Sequence, residues 1–310
     1  MYTITELSIG THSYIELVGP KGTTKAQICL TQGARLCKLI FEDKHILASL
    51  HPDDYTLHYD AAVLFPFANR IKNGTYLFKD VVYQLPCNEP AKNNAIHGLV
   101  YNKTFTVKHK EMSTTHAAVT LVYEDAGLHQ GFPFKYSMSL TYTLHDHGLG
   151  FAIEVVNNDH KAFPFTLGWH PYFRSKNLAD SHIHFNSNTR YKTDEQKIII
   201  YAIAFHEKMP WSLKGQHLDD GFALQSDTIM LYTPAYALTI KSSVPHYFLQ
   251  LYTPPQANLI AIEPMTGIAN SFNNKVGLQT LAPNAAYSLN WDLSIKLVSN
   301  KIPSNTFTNT

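Results

Sequence analysis

Residues 136–144, YSMSLTYTL, alternate large apolar with small polar side chains over nine positions. Successive side chains of an extended strand point to opposite faces, so this period of two suits a half-buried strand and not one stripe of a helix. GFAIEVVNN follows after HDHG, and the two segments read as a hairpin turning at Asp146 to Gly148. The same alternation recurs in TFTVKH (104–109), AVTLVYE (118–124) and YALTIKS (236–242), whereas amphipathic helical stretches are almost absent. Gly, Pro and Asn turns separate these segments, with no linker near the middle and no block of low complexity. The expectation is an all-β chain forming one sandwich or barrel domain over residues 1–298. The polar, aperiodic SNKIPSNTFTNT, 299–310, is expected to be a loose C-terminal tail.

At 310 residues with 45% hydrophobic side chains the chain can fill a sizeable core. Its net charge is +1 and only 16% of its residues are charged, so no electrostatic footprint points to nucleic acid or to an anionic membrane. An aromatic-rich, near-neutral protein suits a neutral, polar small molecule. The start, MYTITELSIGTHSYIELVGP, lacks the basic and apolar segments of a signal peptide, and no stretch approaches the ~18 apolar residues of a membrane span. A cytoplasmic protein, monomeric or weakly dimeric, is expected. Cys29, Cys37 and Cys87 are odd in number and lack CxxC spacing, which implies neither a disulfide framework nor a zinc site.

Several polar residues stand out against this apolar background. His170 in TLGWHPYF (166–173) is an imidazole among aromatic residues, where an apolar wall moves its pKa, although a buried histidine satisfied by backbone reads the same way. Arg70 in FPFANRIKNGTYLF (65–78) sits where the chain leaves the core. Its fork of donors could hold hydroxyls or simply form a surface ion pair. Asn73 and Gly74, just after it, read as a hairpin turn. His97 is followed by Gly98, which permits a backbone conformation that a side chain would block. Glu263 ends an apolar run in LIAIEPMTG (259–267), as a strand terminus or as a base at the rim of a cleft. Asp219 and Asp220 in HLDDGF read as turn residues.

Taken in order, VLFPFANRI, AIHGL, GWHPYF, the LDDGF stretch and IEPMTGIANSF resemble the aldose 1-epimerase (mutarotase) family, over a span from about residue 26 to near 295. The resemblance implies a large antiparallel β-sandwich, a cleft lined by these motifs, and interconversion of the α and β anomers of a sugar. Carried over motif by motif, it makes Glu263 the general base and His170 the general acid, with His97 beside the ring oxygen. Arg70 and Asp219 match positions that contact sugar hydroxyls, with Asp220 as the adjacent alternative, and Trp169 and Phe272 are expected near the cleft as wall or as core. Galactose mutarotases tend to carry a second glycine after their HG and a threonine-like residue after the acid histidine. Here the residues are His97-Gly98-Leu99 and His170-Pro171-Tyr172, and EPMTG is closer to the broader aldose epimerase-like branch.

Ring opening needs one proton to leave the C1 hydroxyl and one to reach the ring oxygen, and closure reverses the roles of the two groups. No metal, nicotinamide or nucleophile is required, so no cofactor is expected. With reference pKa values of about 4.3 and 6.5, ionised Glu263 and protonated His170 would coexist between those limits. Three alternatives remain at this point. A hexose-6-phosphate mutarotase would need a cation such as Arg174, directly after HPYF and one of four arginines. A non-catalytic carbohydrate-binding protein would need no acid and base. A metal-dependent isomerase would draw on His145 and His147 in LHDHG, which lack a third ligand at recognisable spacing.

Overall fold

In a computed structural model, residues 1–48, 55–244 and 247–298 are described, and the expected tail at 299–310 lies outside them. Among the described residues every strand pairing is antiparallel, and the α-helices are the four-residue Tyr55–His58 and Ser271–Asn274. The segment singled out by its alternation forms the strand Lys135–His145, in which buried and half-exposed residues alternate throughout. It turns through Asp146 into Gly148–Asn157, as expected, with Tyr136 paired to Asn157 and His145 to Gly148. Both belong to a nine-stranded sheet that also carries Thr106–Met112, His116–Ala126, Ala286–Leu297 and Tyr236–Ser242.

An eight-stranded sheet holds Asp219–Ala223, Phe248–Tyr252, Leu259–Met265, Gly168–Trp169 and Val63–Leu64, with Tyr172–Arg174 paired alongside Leu259–Met265. The two large sheets meet through aromatic side chains. Trp169, wholly buried, lies 5.4 Å from Phe151 and 6.2 Å from Trp291 of the nine-stranded sheet, ring centre to ring centre. This is the antiparallel β-sandwich that the resemblance implies. A third sheet of five strands, Thr3–Ile9 to Lys44–His45, contributes to the same buried cluster, which runs from Tyr2 to Ile295.

Two local expectations are corrected. Asn73 and Gly74 do form a turn, but the strands beside it do not pair with each other: Arg70–Lys72 pairs with Asn94–Ile96, and Thr75–Phe78 with Val81–Gln84. Asp219 and Asp220 open a strand instead of lying in a turn, because Asp219 pairs with Tyr252 and Asp220 with Leu251.

Candidate active site

All seven residues of the strand Leu259–Met265 are buried, including Glu263. On one side the strand pairs with Phe248–Tyr252, which sets Gln250 opposite Glu263. On the other it pairs first with Gly168, opposite Met265, and then with Tyr172, opposite Ala261. Residues 169–171 must therefore cross beside Glu263. The crossing brings His170 Nε2 to 3.4 Å from Glu263 Oε1. Both main-chain groups of His170 are fixed: its N–H donates to Ala62 O at 3.0 Å and its carbonyl accepts from Ala61 N at 2.8 Å.

His97 reaches the same place by a different route. It follows the strand Asn94–Ile96 in a left-handed conformation, φ 64°, and its N–H donates to Asn69 O at 2.9 Å. Gly98 is also left-handed, φ 78°, and a Cβ there would lie 2.3 Å from Phe65 O, so the close backbone approach requires glycine. The His97 and His170 rings meet edge to face at 4.9 Å, and Tyr172 stacks on His170 at 5.0 Å. His97, His170 and Glu263 are at most 6% exposed, yet among the described residues His97 Nδ1, His170 Nδ1 and Glu263 Oε2 have no hydrogen-bond partner. Buried polar atoms left in this way call for an explanation, and three on adjacent groups mark this place as a candidate binding site.

These groups line a cavity of about 430 Å³. Arg70 grips Glu89 with two parallel hydrogen bonds, Nε to Oε2 at 2.8 Å and Nη2 to Oε1 at 2.9 Å, and Nη1 donates to Asn69 Oδ1 at 3.2 Å. Lys92 and Asn94 also donate to the Glu89 carboxylate, each at 3.0 Å. Desolvation would raise the pKa of Glu89, but the Arg70 hydrogen bonds and charge outweigh it and hold the carboxyl at about 2. Asp219 accepts from Gln250 Nε2 at 2.9 Å and pairs with Lys197 at 2.8 Å. Alternation along the strand turns Asp220 away, where Arg190 holds it at 2.8 Å, and Asp219 alone of the two lines the cavity.

Burial dominates the protonation of the central pair. Desolvation raises the Glu263 pKa well above its ordinary value, with Asp219 adding to the rise and Arg70 opposing it. Desolvation also lowers His170 to about 4, and desolvation, His170 and Arg70 together hold His97 well below its ordinary value. The free cleft therefore keeps its shared proton on Glu263 with both imidazoles neutral, the reverse of the order that reference values suggest. Moving that proton across the 3.4 Å contact gives ionised Glu263 and protonated His170 with no change in total charge.

The structure thus brings together Glu263, His170, His97, Arg70 and Asp219. Trp169 and Phe272 are not cleft wall: Trp169 packs between the sheets, and Phe272 packs on Phe67 and Tyr76. Arg174 is exposed and lines a separate cavity with Lys44 and Lys176. His145 lies 3.6 Å from Asp292 at the hairpin turn, and among the described residues no three His, Cys, Asp or Glu side chains are grouped to hold a metal ion. No helix among them is long and apolar enough to cross a membrane. Sequence reasoning missed Glu89, Gln250, Tyr172 as a stacking partner, and His58, which also lines the cavity. Of these, Tyr172 lies within the quoted GWHPYF motif, and Asn69, which meets both Arg70 and Gln250, lies within VLFPFANRI.

The chain is 26% identical over 279 residues to the uncharacterized protein YihR of Escherichia coli K12, covering 84% of this chain and 87% of that protein. It is also 24% identical over 252 residues to the uncharacterized protein YphB of the same bacterium, covering 76% and 82%. Among solved structures, a galactose mutarotase-like protein from Clostridium acetobutylicum superposes with a TM-score of 0.85 at 23% identity, covering 96% and 99% of the two chains. Galactose 1-epimerase from Lactobacillus acidophilus superposes with a TM-score of 0.76 at 18% identity, covering 96% and 99%. Both likenesses show the fold. The family model described as aldose 1-epimerase matches residues 13–294, which include every residue of the cleft, and the chain belongs to that family.

Proposed function

We propose that the protein is an aldose 1-epimerase that interconverts the α and β anomers of a neutral aldohexose by acid–base ring opening and closure. The observation that carries this reading is the contact of His170 Nε2 with Glu263 Oε1 at 3.4 Å, deep in a cavity of about 430 Å³. With sugar bound, ionised Glu263 takes the C1 hydroxyl proton while His170 delivers its proton to the ring oxygen, with His97 beside that oxygen. C1 then turns about its bond to C2, and closure on the other face returns both protons. The open-chain state leaves Glu263 protonated and His170 neutral, the arrangement that burial favours in the free cleft. Because one proton is exchanged between two groups, the reaction calls for no metal or cofactor. The Arg70 field, which opposes the rise in the Glu263 pKa, favours the ionised base.

Arg70, through its remaining donors, and Asp219 hold sugar hydroxyls. A neutral sugar is supported because Arg70 and Lys92, which line the cleft, are both already engaged by Glu89, and Lys197 binds Asp219. The domain is proposed to span residues 1–298, in a cytoplasmic protein. The test is anomer exchange, followed by polarimetry or NMR, on a panel of fresh α-anomers, free and 6-phosphorylated. Faster exchange of a free hexose supports the reading. A kcat/KM at least about tenfold higher for a 6-phosphate, worth about 1.4 kcal/mol in transition-state binding, contradicts the substrate class. Binding without exchange would indicate a carbohydrate-binding protein.

A further inference from the structure

A charged pair outside the cleft is connected to both histidines. Arg35 and Asp60 are completely buried and neither lines the cavity. Arg35 Nη1 donates to Asp60 Oδ2 at 2.5 Å and, at 3.4 Å, to the main-chain carbonyl of the same residue. The guanidinium is itself fixed, with Nε donating to Gln32 Oε1 at 2.9 Å and its carbon 4.5 Å from the centre of the Tyr55 ring. A buried ion pair of this kind is poor evidence of stability, since apolar residues of similar volume commonly serve a fold as well or better. Its geometry is more informative.

Asp60 lies at the centre of the turn 59–62, between Tyr59 and Ala61, both left-handed with φ 52° and 55°. Such a conformation is strained for a non-glycine residue and persists only where the surroundings over-determine it. The residues on either side of Asp60 hold the site. Ala61 and Ala62 make both main-chain hydrogen bonds of His170, and the chain then pairs as Val63–Leu64 with Gly168–Trp169. The Tyr59 ring centre lies 4.9 Å from that of His97, and its hydroxyl accepts from Asn88 Nδ2 at 3.1 Å. We infer that Arg35 and Asp60 are positioning residues: by holding side chain and main chain of Asp60 together, they fix the turn that sets His170 and His97 relative to Glu263. This inference rests on the proposed anomer exchange only for its effect on rate.

Replacing Asp60 alone would strand a buried guanidinium, so the decisive variant is the double substitution R35M/D60N, which removes both charges at once. Its histidine ring signals are followed by NMR, with His97 and His170 assigned from their own Asn variants, alongside kcat, KM and the urea unfolding midpoint. The double variant is expected to fold with both ring signals displaced. Its kcat should fall by about tenfold to 10²-fold, the usual result of displacing a reacting group from its geometry, while KM changes by less than about threefold. Leu238→Ala, a core truncation in another sheet, should lower the midpoint and leave kcat and both signals unchanged. Should the double variant not fold, Arg35→Lys decides by the same readouts, since it keeps the charge pair but loses the fork. Histidine signals at their parent positions, with kcat within about twofold of the parent, in whichever of the two variants decides, would overturn the inference. A parent protein without anomer exchange refutes the proposed function, and the ring signals still decide the positioning role.

Discussion

His170→Asn should make the protein more resistant to acid, in proportion to what the buried imidazole loses on protonation. In the unfolded chain this histidine titrates near 6.5, and in the folded protein desolvation holds it at about 4. Between those values the unfolded state binds the extra proton and the folded state does not, so the stability associated with His170 is complete above 6.5 and drains away as pH falls towards 4. At about 1.4 kcal/mol per pH unit, that interval removes roughly 3 kcal/mol from the parent, a large part of a typical folding free energy. Asparagine does not titrate. It also loses the ring stacking on Tyr172, but that loss is the same at every pH. The assay is urea unfolding of both proteins from pH 7 down to 4, followed by tryptophan fluorescence, for which the buried Trp169 and Trp291 are well placed. The parent should lose about 3 kcal/mol more than the variant over that range. If the variant instead loses more than the parent, the folded state has raised the His170 pKa, the resting pair is ionised, and the burial argument is wrong.

The same directions give the pH dependence of turnover. The pair needs one proton in total, so the rate should fall below about pH 4 as His170 takes a second proton, and again as Glu263 loses its own, well above the ordinary carboxylate value. An alkaline limb at about 4.3, the ordinary carboxylate value, would contradict this. Dialysis against EDTA should leave the rate unchanged, and a loss restored by one divalent ion would refute the metal-free reaction. Gly98→Ala should lower stability by more than about 1 kcal/mol, because it combines a left-handed backbone with a clash at Phe65 O. An unchanged unfolding midpoint would show that the approach of these two segments is not fixed.

Much of the architecture was legible because a half-buried strand writes its period into its own residues. Lys135–His145 shows this over its full length, and the turn into Gly148–Asn157 was marked by its own glycine. Pairing partners were not legible in the same way. The turn at Asn73 and Gly74 was recognisable, but Arg70–Lys72 takes its partner from 94–96, a choice made by packing and not by the turn. In the cleft, His170 and Glu263 were found through motifs in their proper order, and nothing in either motif gives their separation. Glu89 carried no signal, because its importance comes from the Arg70 guanidinium, 19 residues earlier. Gln250 and Asn69 are 181 residues apart and meet only once the sheet is assembled. Trp169 adjoins His170 in sequence, but successive residues of extended chain face opposite ways, and it is Trp169 that points into the core. The reference pKa values were equally uninformative, since burial reverses their order.

The central claim is that Glu263 and His170 form the proton-exchanging pair, and the anomerisation rate of Glu263→Gln tests it most directly. Glutamine keeps the shape and cannot accept the C1 proton. On whichever free hexose the parent turns over best, kcat should fall on the order of 10² to 10⁴, with KM changed much less and the circular dichroism spectrum retained. A folded Glu263→Gln protein whose kcat stays within about threefold of the parent would contradict the claim.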